Sequence, residues 1–217
     1  MPKIGGGKPA PIGSAVLARA DYDAAYYGIE DVDMHPAGYS DYSRTSIIDS
    51  DTGMELTKGM HHRIYTTYQS WLTGGKVLSV GCALGFDVED MRSFGVDCYG
   101  VDWSDYLTPF IDKSLTPYIT IEDAITHLQG VPDDHYKCIF GLRFLPCLST
   151  RNAATFMTLA NSKSQHQFYL VDDTDVYTSE DRAALGQYYN IKAKSEWQTA
   201  AGGKPIHSMA EDAWRIK

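Results

Sequence analysis

No apolar run in this chain approaches the roughly 18 residues that a membrane-spanning helix requires. Cysteine is scarce. Cys82, Cys98, Cys138 and Cys147 form neither a CxxC pair nor a zinc spacing, so thiols in a reducing cytoplasm are the expectation. Positive charge is short as well. Lys and Arg number 19 against 28 Asp and Glu, for a net charge of −9. That balance argues against a surface built on phosphate contacts, and so against a nucleic-acid partner. No internal repeat is visible. The early lysines are followed by glycine and proline, and Ala15 to Ala18 is too short for a signal-peptide core. What is there is ordinary for a globular chain: 217 residues, 43% hydrophobic and 22% charged, enough to bury a core without staples.

Residues 1–14 are rich in Gly and Pro and read as a flexible leader. Residues 15–75 read as an acidic, tyrosine-rich cap followed by a helix. Between 21 and 57 the acids are Asp21, Asp23, Glu30, Asp31, Asp33, Asp41, Asp49, Asp51 and Glu55, against Arg44 alone. Tyr22, Tyr26, Tyr27, Tyr39 and Tyr42 make this stretch too aromatic for a linker. Thr52 and Glu55 have capping-box spacing, and Leu56, Met60, Ile64, Tyr68 and Trp71 form one helical stripe ending at Gly74 and Gly75. From residue 76 to 217 short strands alternate with helices, which predicts βαβ units on a mostly parallel sheet with helices on both faces. Strands are expected at Val77–Val80, Cys98–Val101, Tyr118–Ile121, Lys137–Leu142 and Gln167–Val171. Ser104 is a candidate helix cap, and Thr178 begins a further helix. The tail, Asn190–Trp197 and a strand ending near Ile216 around Gly202, Gly203 and Pro205, reads as an antiparallel hairpin.

The chemistry concentrates in Val77-Leu78-Ser79-Val80-Gly81-Cys82-Ala83-Leu84-Gly85-Phe86, a strand, a small-residue turn and a helix start. Ligands of open α/β sheets bind beyond the carboxyl ends of the strands, where small residues admit them to the backbone and helix-start amides can donate. Asp102 ends the next strand at the spacing from which an acid reaches a ribose diol. A carboxylate there has little reason to exist for packing, and is expected to be a ligand contact. His61 and His62 are neighbours on a helix and cannot share one metal face. Arg143 reads as structural, and Cys147 as a small buried thiol. Asp172, Asp173 and Asp175 are the nearest approach to a metal cluster, and no metal is expected.

The loop just quoted, with Tyr99-Gly100-Val101-Asp102-Trp103-Ser104, resembles the class I S-adenosylmethionine-dependent methyltransferases. The likeness extends to Glu122-Asp123-Ala124 and to Asp134-His135-Tyr136-Lys137-Cys138-Ile139-Phe140, covering about residues 70–173. It implies a Rossmann-like fold and S-adenosylmethionine as cofactor. Gly81, Cys82, Ala83 and Gly85 would shape the methionine-side loop. Asp102 would hold the ribose, Trp103 would lie against adenine, and Asp123 with Ala124 would stand at its amino group. The chain departs from the family pattern at Ser79, where an acid is usual, at Ala83, where glycine is usual, and near Lys137. The Asn/Asp-Pro-Pro-aromatic motif of amino-methylating enzymes is absent from Gly141-Leu142-Arg143-Phe144-Leu145-Pro146-Cys147. No catalytic base is identified. The implied activity is methyl transfer to a small molecule or a protein side chain. Two alternatives stand beside it, an inactive methyltransferase-fold binding module and an RNA methyltransferase.

Overall fold

The computed structural model describes residues 17, 19–28, 53–171, 194–200 and 202–208. The leader, most of the acidic cap, Asp172, Asp173, Asp175 and the helix expected from Thr178 lie outside them.

Among the described residues six strands form one parallel sheet: β1 Lys76–Val80, β2 Asp97–Asp102, β3 Ile119–Ile121, β4 Tyr136–Leu142, β5 Ser164–Val171 and β6 Ile206–Ser208. Their order is β3-β2-β1-β4-β5-β6. The chain winds outward from β1 in one direction and then returns to build from β4 in the other. The carboxyl ends of β1 and β4 therefore part at a topological switch point, where the connecting loops open a crevice.

Among the described residues the α-helices are α1 Ala24–Tyr27, α2 Leu56–Leu72, α3 Phe86–Ser93, α4 Ala124–Gly130, α5 Thr150–Lys163 and α6 Lys194–Ala200. Strand alternation splits the core into two layers. Leu78, Val80 and Ile139 pack with Leu128, Phe156 and Ala160 of α4 and α5. Val77, Cys138, Phe140 and Phe168 pack with Ile64, Tyr68 and Leu72 of α2 and Val88 and Met91 of α3. Each large apolar side chain so enclosed contributes about 1.5–3 kcal/mol. The helical stripe read from the sequence is the face that α2 buries, although Glu55 makes no side-chain cap and Thr52 lies outside the described residues. Asp123 and Ser149 do cap their helices, accepting from the amides of Thr126 and Asn152.

Two expectations are corrected. Ser104 precedes a 3-10 segment, Asp105–Phe110, without capping it; its hydroxyl donates instead to the Tyr22 carbonyl at 2.7 Å. Among the described residues the tail forms no antiparallel hairpin; positions 190–193 and 209–217 of that expectation lie outside them. Lys194–Ala200 is α6, a stretch whose Lys, Glu, Gln and Ala favour a helix. Gly202 and Gly203, at φ of +60° and +81°, terminate it, their amides donating back to Thr199 and Gln198. The chain then crosses to β6, which pairs parallel to β5 through registers such as Leu170 with His207. The glycines are a helix stop, and a parallel strand needs the crossover that a hairpin turn cannot supply.

Candidate cofactor and acceptor cleft

The crevice beyond β1 and β4 is a cleft with three walls. One comes from the β1 and β2 ends: Gly81, Ala83, Val101, Asp102, Trp103 and Ser104. A second follows β3: Glu122, Asp123 and Ala124. The third combines the β4 end, with Leu142, Arg143, Phe144, Cys147 and Leu148, and the tyrosines Tyr22, Tyr26 and Tyr27. Of the residues expected from the sequence, Gly81, Ala83, Asp102, Trp103, Asp123 and Ala124 meet here. Cys82 and Gly85 are not among the lining residues. The Cys82 side chain is buried with Val88 beneath β2, and a Cβ built on Gly100 would stand 2.6 Å from its sulfur.

The loop after β1 is held from within. Gly81 and Cys82 donate to the Val101 carbonyl at 2.9 and 3.3 Å, Gly85 donates to Cys82 at 2.8 Å, and Ala83 donates to Asp102 Oδ2 at 2.8 Å. Four amides of the turn before α3, those of Gly81, Cys82, Ala83 and Gly85, are thus engaged by the protein. Gly81 has φ of +70°, and a Cβ there would meet the Phe144 ring at 2.9 Å, so glycine serves both the turn and the approach of the β4 wall. Ala83 holds φ of +47° without that freedom.

Asp102 lines the cleft and is also a fold contact, against the expectation that a carboxylate here has no structural duty. Oδ2 accepts from the Ala83 amide and Oδ1 from the Ser104 amide, both at 2.8 Å. It ties the β1 loop to the β2 end. Each oxygen uses one of its two acceptor sites in these bonds, so a pair of hydroxyls can still be received. Burial lifts its pKa above the usual carboxylate range, and the amides of Ser104, Ala83 and Trp103 pull against that lift.

At the third strand Asp123 is partly committed, its Oδ1 accepting from the amide and hydroxyl of Thr126 at 2.9 and 3.3 Å. Glu122, which the sequence offered only as a neighbour, lines the cleft beside it. Its Oε2 lies 3.2 Å from His127 Nδ1, and His127 Nε2 lies 2.8 Å from the Tyr136 hydroxyl. Burial lifts that phenol to about 12.

On the β4 side Arg143 occupies φ of +63°, and its amide donates to the Leu170 carbonyl at 2.8 Å. The Cys147 thiol, half-buried and not enclosed as expected, lies 3.4 Å from the Arg143 carbonyl. Above them α1 starts at the Asp23 cap and stops at Gly28. Tyr26 and Tyr27 are buried against Ala83, Leu84 and Leu107, and Arg19 pairs with Asp105 at 3.4 Å. This part of the cap is therefore docked on the β1 and β2 ends. His61 and His62 stand apart from the cleft: His61 is buried against Asp90, and His62 packs edge-on to Phe94.

No protein-family model and no curated protein matches the sequence. Solved structures match its shape. Magnesium protoporphyrin IX methyltransferase from Synechocystis PCC 6803, solved with S-adenosylhomocysteine bound, aligns with a TM-score of 0.52 at 14% identity, over 68% of this chain and 71% of that one. A protein from Pyrococcus horikoshii OT3 aligns at 0.53 and 11% identity, over 70% of this chain and 83% of that one. A SAM-dependent methyltransferase from Archaeoglobus fulgidus is 22% identical, but that match has a TM-score of 0.44 and spans only about half of either chain, 50% and 49%.

Fold and cleft together define a Rossmann-like α/β protein with a crevice at the strand-order switch. Its fold is that of the class I S-adenosylmethionine-dependent methyltransferases.

Proposed function

We propose that the chain is an S-adenosylmethionine-dependent methyltransferase acting on a small molecule or a protein side chain. The observation that carries this reading is Asp102: a buried carboxylate at the β2 end, lining the cleft, with acceptor sites beyond those its amide bonds use. That is the chemistry a ribose diol needs.

In this reading Asp102 receives the ribose hydroxyls and Trp103 lies along adenine. Asp123, Glu122 and Ala124 border its amino end, and Gly81 and Ala83 shape the methionine end. Cys82 and Gly85 act indirectly, by fixing the turn. The bound cofactor supplies a methyl group already activated by a sulfonium, so the protein need only align the acceptor and exclude water. Tyr22, Tyr26 and Tyr27 supply the exclusion, as a roof anchored by the Ser104 hydroxyl. Three acids, Asp102, Glu122 and Asp123, face the cleft with Arg143. That balance favours a neutral or cationic acceptor over a polyanion, and with the net charge of −9 it disfavours RNA. Among the described residues no His, Cys, Asp and Glu group has the makings of a metal site, and no helix is long and apolar enough to cross a membrane. The four thiols suit a cytoplasmic setting.

The binding-module alternative draws on the same loop, because its engaged amides and the strained Ala83 offer a cofactor less than an open glycine turn would. Calorimetric titration with S-adenosylmethionine and S-adenosylhomocysteine separates the two. Binding of either supports the cofactor reading, and binding of neither refutes it.

A further inference from the structure

Behind the cofactor loop lies a polar cluster that the cleft does not use. Ser79 follows the alternation of Val77 and faces the α2 and α3 side of the sheet, fully buried. Its hydroxyl donates to Oδ2 of Asp87, in the first turn of α3, while Asp87 Oδ1 accepts from the Val88 amide at 2.8 Å. One turn on, Asp90 pairs with His61 Nδ1 at 2.7 Å. Asp87, Asp90 and His61 are 6%, 2% and 3% exposed. Neither carboxylate lines the cleft, yet Asp87 and Asp102 flank one short loop closely enough for their charges to repel.

A buried carboxylate is retained at a cost unless something positive offsets it. The groups that face Asp87 are His61 from α2, Ser79 from β1, Asp90 on its own helix, Cys82 in the loop, and Cys98 and Asp102 from β2. Of these only His61 can carry positive charge. Beyond these described groups, a cation standing in the cleft on the far side of the loop, which Asp102 lines, would add to the offset.

We infer that Asp87 is a charge-selecting residue of the cofactor site, favouring a cationic sulfonium occupant over its neutral thioether product. The inference rests on the methyltransferase reading and adds, behind the cleft-lining acids, a charge that meets no part of the ligand. In methyl transfer the sulfonium S–C bond breaks with its electron pair left on sulfur, and the acceptor's lone pair forms the new bond. The cofactor thereby loses its methyl group and, with it, one positive charge. Asp102, which would meet the ribose common to both forms, holds both. Asp87 meets neither and acts through the field alone, so its preference switches off when the methyl leaves, and release of the spent cofactor is favoured. Burial raises the Asp87 pKa, with His61 and the Ser79 hydroxyl opposing the rise. A cation in the cleft opposes it further. Donor affinity should therefore fall on acidification through that range, while product affinity changes less.

The test is the ratio of dissociation constants for S-adenosylmethionine and S-adenosylhomocysteine, measured by calorimetry on the parent and on Asp87→Asn. Asn keeps the shape, and it can accept from Val88 while donating to the Ser79 hydroxyl. Donor binding should weaken by about five-fold and product binding should hold. Ser79→Ala, which keeps the carboxylate and removes only a bond that steadies its charge, should move the ratio in the same direction but less, and it serves if Asp87→Asn does not fold. Equal weakening of both ligands, or no change in either, overturns the inference and leaves the methyltransferase reading standing. A parent protein that binds neither ligand overturns both.

Discussion

The two long walls of the cleft are built by different physics. The β1 and β2 wall is held by directed bonds to buried groups: Asp102 to the Ala83 and Ser104 amides, and Asp87 to the Ser79 hydroxyl. The β4 wall leans on packing. Phe144 meets Phe156 edge-on at 4.9 Å and closes on Gly81, while Arg143 is turned into a left-handed backbone conformation. Directed bonds fix atoms to fractions of an ångström and suit a ligand of constant shape. Apolar packing tolerates change, and it suits the side of a pocket that must match whatever acceptor the protein serves.

The largest way to break this contrast is Asp102→Ala. It leaves two buried amides without an acceptor and should cost about 3 kcal/mol, lowering the melting temperature by about 9 °C in a chain of this size. An unchanged melting point would show that the β1 and β2 wall does not depend on that carboxylate. Gly81→Ala comes next, at about 2 kcal/mol from the left-handed backbone and the collision with Phe144. In a Phe144→Ala background only the backbone share, about 1 kcal/mol, should remain. Full additivity in urea midpoints would mean that the two walls do not touch energetically.

The smaller effects sharpen the contrast. Asp87 has a raised folded pKa, so its contribution to stability is present below the unfolded value, near about 3.9, and is lost as pH rises through the folded one. Asp87→Asn should therefore melt higher than the parent at neutral pH, with the gap narrowing as acid is added. A gap that widens in acid would reverse the sign. Ala83→Gly should matter least. It relieves φ of +47° but loosens the unfolded chain, and the two should cancel to within about 0.5 kcal/mol.

The β1 and β2 wall was legible in the sequence because its parts are close together in the chain. A strand, a small-residue turn and an acid at the next strand's end fix one another through local geometry. What that spacing could not convey was the second duty of Asp102, since amide bonding by a side chain leaves no periodic mark. The rest of the cleft depends on distant partners. Glu122 differs from Asp123 only by which neighbour each one meets, His127 or Thr126. The tail failed for a related reason. Asn190–Trp197 alternates over too few residues to separate strand from helix, and the glycines that stop α6 look the same in sequence as those of a hairpin turn.

The bond from Ser104 to Tyr22 joins residues 82 apart in the chain. On the ribosome the tyrosines of α1 are therefore made before the strand ends they cover. At about 5–20 residues per second, Tyr22 waits some ~4–16 s for Ser104 to be synthesised. The roof of the cleft is made before the strand end that it bonds and finds its place only after that end exists. Until then its aromatic side chains are without the core they finally join.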